Sequence, residues 1–527
     1  MIGRLTLAAW LAVPFGAASA DEAVDLAVVT RIRDEAFRRS QIMETAAYLC
    51  DVIGPRLTNS PAARRANQWS RERFESWGLQ NAHLESFGPV GLGWSFDRAV
   101  VNLVSPVAAP LIALPKAWTP GTNGPVRGKA VKIKLRSEED LASAKGKLEG
   151  KIVLVDDPRE VKGEDKPALT RYSEKELADL GQFEMPAQRK VEEERATRRK
   201  RQAFRKVLSQ FLSDEKVVAA IEPSRQEDVV RVEGGSPMKP GDAKGVPSLV
   251  MLDEHYNRLV RLLDRGLDVE LEVDVAARFH DEDLMGYSTV AEIPGTDKKT
   301  EIVMAGAHMD SWHTGTGATD NGAGVAVVME AARILKALGL KPRRTIRFAL
   351  WTGEEQWKPS GSQSYVKEHF AERAPSEDPD DKDLEVDLQK KPGKLTLKPE
   401  HALFSAYFNL DNGTGKIRGI YSEENAAVAP IFAAWLRPFA DLGASTVTER
   451  KTEDTDHEPF NDVGLPGFQF IQDDVEYSTR TWHTNLDVYD RLKRDDLMQA
   501  SAIMASFLYD AAMRDEKLPR KPLPQYP

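Results

Sequence analysis

Apolar positions recur at helical spacing early in the chain, with Leu26, Val29, Ile32 and Ala36 on one stripe and Met43, Ala46, Ala47 and Cys50 on another. Gly54-Pro55 breaks that pattern, and a further helix is predicted over about 61–77. Between 105 and 274 the texture changes to short β-rich runs, such as 130–135, 151–156, 216–222 and 248–252, set apart by Gly and Pro turns. From 285 strand-like and helix-like runs alternate: 301–307 (EIVMAGA) reads as a buried strand, 322–338 as a helix, 345–351 as a strand, 361–372 as a helix and 403–410 as a strand. A helix near 426–442, a strand near 467–471 and a terminal helix near 491–513 follow. Such alternation predicts an α/β fold with a mainly parallel sheet. The two changes of texture predict a discontinuous unit, 21–105 with 281–520, interrupted by an inserted β-rich unit at 106–280 that carries a charged helical excursion at about 157–206.

Charge and composition narrow the partners. The 527 residues hold 72 Lys and Arg against 82 Asp and Glu, a net charge of −10, with 29% charged and 41% apolar residues. A nucleic-acid binder driven by phosphate neutralisation needs a basic balance, and a disordered chain needs fewer apolar residues, so neither describes the whole chain. The run 189–206 (RKVEEERATRRKRQAFRK) has glutamates among its bases and reads as a solvated helix, as does the acidic, Pro-punctuated stretch 374–398 as a surface excursion. Cys50 is the single cysteine, which excludes an intramolecular disulfide and a zinc site built on thiolates. Arg4, the apolar stretch 5–17 and Ala18-Ser19-Ala20 form a secretory leader pattern, predicting cleavage near Ala20 and export to the periplasm or beyond. Thirteen apolar residues containing Pro14 fall short of the roughly 20 that span a bilayer, and no later segment reaches that length, so no stable membrane span is expected.

The candidate chemistry gathers at predicted strand ends, where functional groups collect in open α/β sheets. His308 closes the buried strand, and Asp310, two residues on, is placed to accept its other ring N–H. Asp320 lies in a Gly-rich turn before a helix, Glu354 and Glu355 follow the next strand, and Asp411 follows the one after. His483 stands in a loop before the terminal helix, with Asp487 as its expected orienting partner. Each alone is ordinary: a histidine after a strand is commonly structural, and paired glutamates commonly start a solvated helix. Together, His308, Asp320, Glu355, Asp411 and His483 have the composition of a carboxylate and imidazole site for two zinc ions sharing one carboxylate. Glu354 is left over as a general base.

With these residues, the chain resembles the co-catalytic zinc exopeptidases, a family that includes secreted bacterial aminopeptidases and plasma glutamate carboxypeptidase. The resemblance rests on 306–340, on Leu350-Trp351-Thr352-Gly353-Glu354-Glu355 and on Asp456-His457 to Phe460, and extends over 50–87 and 285–513. It implies a mainly parallel mixed sheet sandwiched by helices, with an inserted protease-associated-like domain bordering the cleft. It implies two zinc ions per chain, one held by His308 and Asp411 and the other by Glu355 and His483. Asp320 would bridge them, Glu354 would act as base, and the 320–321 peptide would be cis. The substrates implied are peptides or dipeptides, cut at a terminal bond; a homodimer is left open. The stretch 449–454 lacks the tyrosine that relatives use on the tetrahedral intermediate, leaving His457 and Tyr477 as candidates. His313 replaces an expected acid and reads as a surface residue. Two other readings share the fold: a single-zinc glutaminyl cyclase, and a non-catalytic receptor-like binding module.

Overall fold

The computed structural model describes residues 22–163, 165–182, 191–235, 238–242, 244–381, 389 and 392–524. The leader pattern at 1–20 and most of the acidic stretch near 377–387 lie outside the described residues. Among the described residues, no helix is long and apolar enough to cross a membrane.

The fold is α/β. One eight-stranded sheet runs in the order Gln80–Phe87, Gly286–Ile293, Arg344–Trp351, Lys298–His308, Phe404–Asn409, Gly467–Gln472, Ile417–Tyr421, Thr446–Thr448. The central strands Arg344–Trp351, Lys298–His308, Phe404–Asn409 and Gly467–Gln472 pair in parallel, while antiparallel pairs lie towards the edges. The strand Lys298–His308 is apolar and buried from 302 to 307 because helices cover both its faces there. Val303, Ala305 and Ala307 point into one core with the helices Leu26–Arg38, Ala323–Ala337 and Arg494–Met513. Ile302 and Met304 point into the other, with Tyr365 and Val366 of the helix Gly361–His369.

A second eight-stranded sheet is built from 93–280, in the order Ala109–Leu111, Gly93–Ser105, Glu270–His280, Val126–Lys132, Lys151–Leu154, Ala219–Pro223, Ser248–Met251, Ala113–Pro115. It has its own core of Val101, Leu103, Ile152, Leu154, Ile221, Leu249, Leu271 and Val273. Its long strand Gly93–Ser105 starts ahead of the boundary predicted near 105, and pairs along almost its whole length with Glu270–His280. From 191 on, the charged stretch lies in the helix Val191–Asp214; its first residues, 189 and 190, lie outside the described residues.

Candidate metal centre

Parallel register delivers the site to one edge of the first sheet. His308 pairs with Trp351 and Gly306 with Asn409, so the residues that follow each strand leave at the same level. Only glycine fits at 306: a Cβ there would lie 2.5 Å from Tyr407 Oη and 2.8 Å from Trp351 Nε1. Asp320 enters from the turn before Ala323–Ala337, across a cis Asp320-Asn321 peptide. The first turn of that helix packs so closely that a Cβ at Gly324 would meet Leu410 O at 2.3 Å.

His308 Nε2 lies 3.2 Å from Asp320 Oδ1 and 3.1 Å from Asp411 Oδ1. His483 Nε2 lies 3.3 Å from Asp320 Oδ2 and 3.1 Å from Glu355 Oε2. Asp320 therefore turns one oxygen to each imidazole–carboxylate pair. These residues border a cavity of about 380 Å³ that Glu354, Lys358 and Tyr477 also line. All five expected ligands and Glu354 are thus brought together.

Two of the expected orienting partners are different. His308 Nδ1 donates to the backbone carbonyl of Asp310 at 2.9 Å. The Asp310 carboxylate stands 3.8 Å away and accepts instead from Thr58 Oγ1 at 2.7 Å and Glu355 N at 3.3 Å, because the chain folds back after the strand and sends the side chain beneath the Glu354–Glu355 turn. Asp487 accepts from Thr319 N and Oγ1 and from Asp320 N, fixing the turn that carries Asp320, while His483 Nδ1 faces Glu233 Oε1 at 3.1 Å. His457 is buried against Thr452 O and Glu423, turned to other partners, whereas Tyr477 lines the cavity. His313 is buried, not exposed, ringed by Trp94, Phe96 and Trp312.

A second arrangement was hidden in the sequence. Trp351 Nε1 donates to Tyr407 Oη, Tyr407 Oη to Asn409 Oδ1, Asn409 Nδ2 to Thr455 Oγ1, and Thr455 Oγ1 to Asp411 Oδ2 at 2.6 Å. The donors all point one way, ending on Asp411. Thr58, Glu233 and Thr455 sit far along the chain from the groups they hold, and no local pattern marks them.

The charge arrangement asks for a cation. With Nδ1 of His308 spent as a donor, a neutral ring would aim its Nε2 lone pair at two carboxylate oxygens, a repulsive contact unless positive charge intervenes. Burial pulls the His308 pKa down, yet Asp411 and Asp320 lift it well above its usual range. Burial lifts the Glu354 carboxyl well above the usual range against the pull of His308, with Asp411 and Glu355 adding to the rise. Glu355 is pushed up to about 7, by burial first and then by Asp320, against the pull of His483. Buried oxygens of Asp320 (Oδ2) and Glu355 (Oε1) have no hydrogen-bond partner among the described residues. Two imidazoles and three carboxylates, converging with unspent oxygens, fit a borderline divalent cation such as zinc.

Residues 288–508 match Peptidase family M28. Carboxypeptidase Q of Bos taurus is 25% identical over 479 residues, covering 90% of this chain and 86% of its own. Aminopeptidase YwaD of Bacillus subtilis (strain 168) is 27% identical over 226 residues, 42% of this chain and 44% of its own. The solved peptidase M28 precursor from Shewanella amazonensis SB2B superposes with a TM-score of 0.65 at 23% identity, covering 95% of this chain and 98% of that one. BSAP, a zinc aminopeptidase from Bacillus subtilis, superposes at 0.53 and 19% identity, covering 90% and 95%. These two structures share the fold. The strand-end cluster of imidazoles and carboxylates falls within 288–508, the segment that matches Peptidase family M28, and the chain is a metallopeptidase.

Proposed function

We infer that this chain is a zinc-dependent exopeptidase that hydrolyses a terminal bond of peptides or dipeptides. The observation that carries the reading is Asp320, whose two oxygens face separate imidazole–carboxylate pairs. His308 and Asp411 would hold one zinc, Glu355 and His483 the other, and Asp320 both. Bound zinc supplies Lewis acidity, which lowers the pKa of water towards about 7 and draws charge from a carbonyl oxygen. Glu354, half-buried at the cavity wall, takes the proton from the attacking water and returns it to the leaving amine. A carboxyl lifted by burial suits that exchange, since it holds and releases a proton nearer neutral pH. Asp310 is a positioning group: its carbonyl fixes the His308 ring and its carboxylate fixes the backbone of Glu355. Tyr477, which lines the cavity, is our candidate to donate to the developing oxyanion. The terminal-bond specificity draws its support from relatives named carboxypeptidase and aminopeptidase. We further assign the unit of the second sheet, 93–280 rather than 106–280, to an inserted protease-associated-like domain, with 21–92 and 281–520 forming the catalytic unit, and residues 1–20 to a leader removed on export.

The test separates two neighbouring glutamates. Glu354→Gln keeps the shape but loses the proton site, so turnover of a peptide library should fall by about 10²- to 10⁴-fold while zinc content stays at two per chain. Glu355→Gln should lower zinc content, because an amide is a poor ligand for this cation. One zinc per chain in the unaltered protein would favour the cyclase-like reading, and none the receptor-like one.

A further inference from the structure

His483 has a left-handed backbone, φ 60°, which a residue with a side chain adopts only where its surroundings fix it. Those surroundings come from the second sheet's unit. Between the strands Ala219–Pro223 and Ser248–Met251, the chain at 229–233 runs alongside the loop that carries His483. Val232 N donates to His483 O at 3.1 Å, Asn485 N to Val230 O at 3.1 Å, and Val230 N to Asn485 Oδ1 at 2.7 Å. Arg231 and Thr484 form an antiparallel bridge, and the Arg231 guanidinium stands 4.2 Å over the Trp482 ring. Arg231 also holds Glu233 at 3.0 Å, and Glu233 Oε1 is the atom that faces His483 Nδ1. An ionised carboxylate only accepts, so Nδ1 must carry the ring proton, and Nε2 is left with its lone pair directed at Glu355 and Asp320.

We propose that Glu233 is a positioning residue for His483, and that the inserted unit thereby completes the metal site of the first sheet. The proposal rests on the two-zinc reading. The two imidazoles differ in how they are steered: His308 leans on a carbonyl of its own loop, His483 on a side chain 250 positions away. The second can be removed without touching the ligand. Glu233 is 45% exposed, so its loss strands no buried partner in the second unit.

The experiment is zinc release to a chromophoric chelator from the full-length protein, with thermal melting of the metal-free form as the control for structure. In Glu233→Ala one of the two ions should bind about 10- to 100-fold more weakly, the other as in the unaltered protein, and the metal-free midpoint should not move. His483→Ala should weaken the same ion. Glu233→Gln keeps an oxygen that accepts from Nδ1–H and should recover part of the loss. Release of both ions from Glu233→Ala at the unaltered rate would overturn the proposal. So would an equal fall in the metal-free midpoint of both Glu233 variants, which would mark a structural role. Absence of bound zinc from the unaltered protein would instead overturn the two-zinc reading itself.

Discussion

Arg56 is fully buried beneath the loop that joins His308 to Asp320, and it is spent on carbonyls: Nε on Met309, Nη1 on Gly54 and Thr316, Nη2 on Gly317. Its backbone exchanges hydrogen bonds with Ser311 as well. Replacing it by Met leaves those carbonyls unpaired in a dry interior, at a cost of about 1–3 kcal/mol for each one that stays buried. Arg56→Met should therefore lower the thermal midpoint sharply and lower zinc retention, since the loop also sets Asp320; a midpoint within a degree or two of the unaltered protein would show that the loop holds itself. No pattern in the sequence marks Arg56, because its partners are backbone atoms, which carry no residue signature. Three of the proposed ligands, His308, Glu355 and Asp411, were legible for the opposite reason: each is a titratable residue at or just beyond the end of an apolar strand, and strand ends are local features. Orienting partners were misread as the nearest acids, Asp310 and Asp487, whereas the chain turns each of those carboxylates elsewhere.

At the scale of elements, parallel pairing turns separate strand ends into one site, and the strands must be held in register by what packs on them. Phe408, one residue from the end of Phe404–Asn409, is wholly buried, with ring centroids 5.9 Å from Phe468, 6.1 Å from Phe470 and 5.7 Å from Phe507. Phe408→Ala should cost about 3–5 kcal/mol through lost burial and the cavity left behind. At roughly 2–4 °C per kcal/mol the melting midpoint should fall by about 10 °C, with zinc content at low temperature retained, because Asp411 keeps its Thr455 hydrogen bond. An unchanged midpoint would mean that the neighbouring rings collapse into the space. The central strands and the covering helices were readable from apolar runs buried on both faces. The strand Gln80–Phe87 was not, since its residues are mostly exposed or half-buried at a sheet edge and carry no apolar run. The start of the second sheet was missed likewise: Gly93–Ser105 has charged and half-buried residues between Trp94 and Val101, too few inward apolar positions to announce a strand.

At the scale of the whole molecule, two sheets with separate cores are joined next to the chemistry. His313, in the loop after His308, donates from Nε2 to Pro115 O of the second sheet at 2.7 Å, wedged edge-on against Trp94 and Phe96. A carbonyl only accepts, so Nε2 carries the proton and Nδ1, without a hydrogen-bond partner among the described residues, must stay bare. Burial pushes the His313 pKa down to about 4, from about 6.5 for an ordinary histidine. The unfolded chain therefore takes up this proton first. Between pH 6.5 and 4 the folded state loses stability as pH falls, at up to about 1.4 kcal/mol per unit, or ~3 kcal/mol in all. His313→Gln keeps a donor towards Pro115 but has nothing to titrate. Urea unfolding of the metal-free proteins should show a stability difference between unaltered chain and variant that shrinks by about 2–3 kcal/mol from pH 7 to pH 4.5, since the other titrating groups are common to both. A difference that stays constant across that range would mean that His313 ionises as freely in the folded protein as in the unfolded one, and that the junction between the sheets admits water.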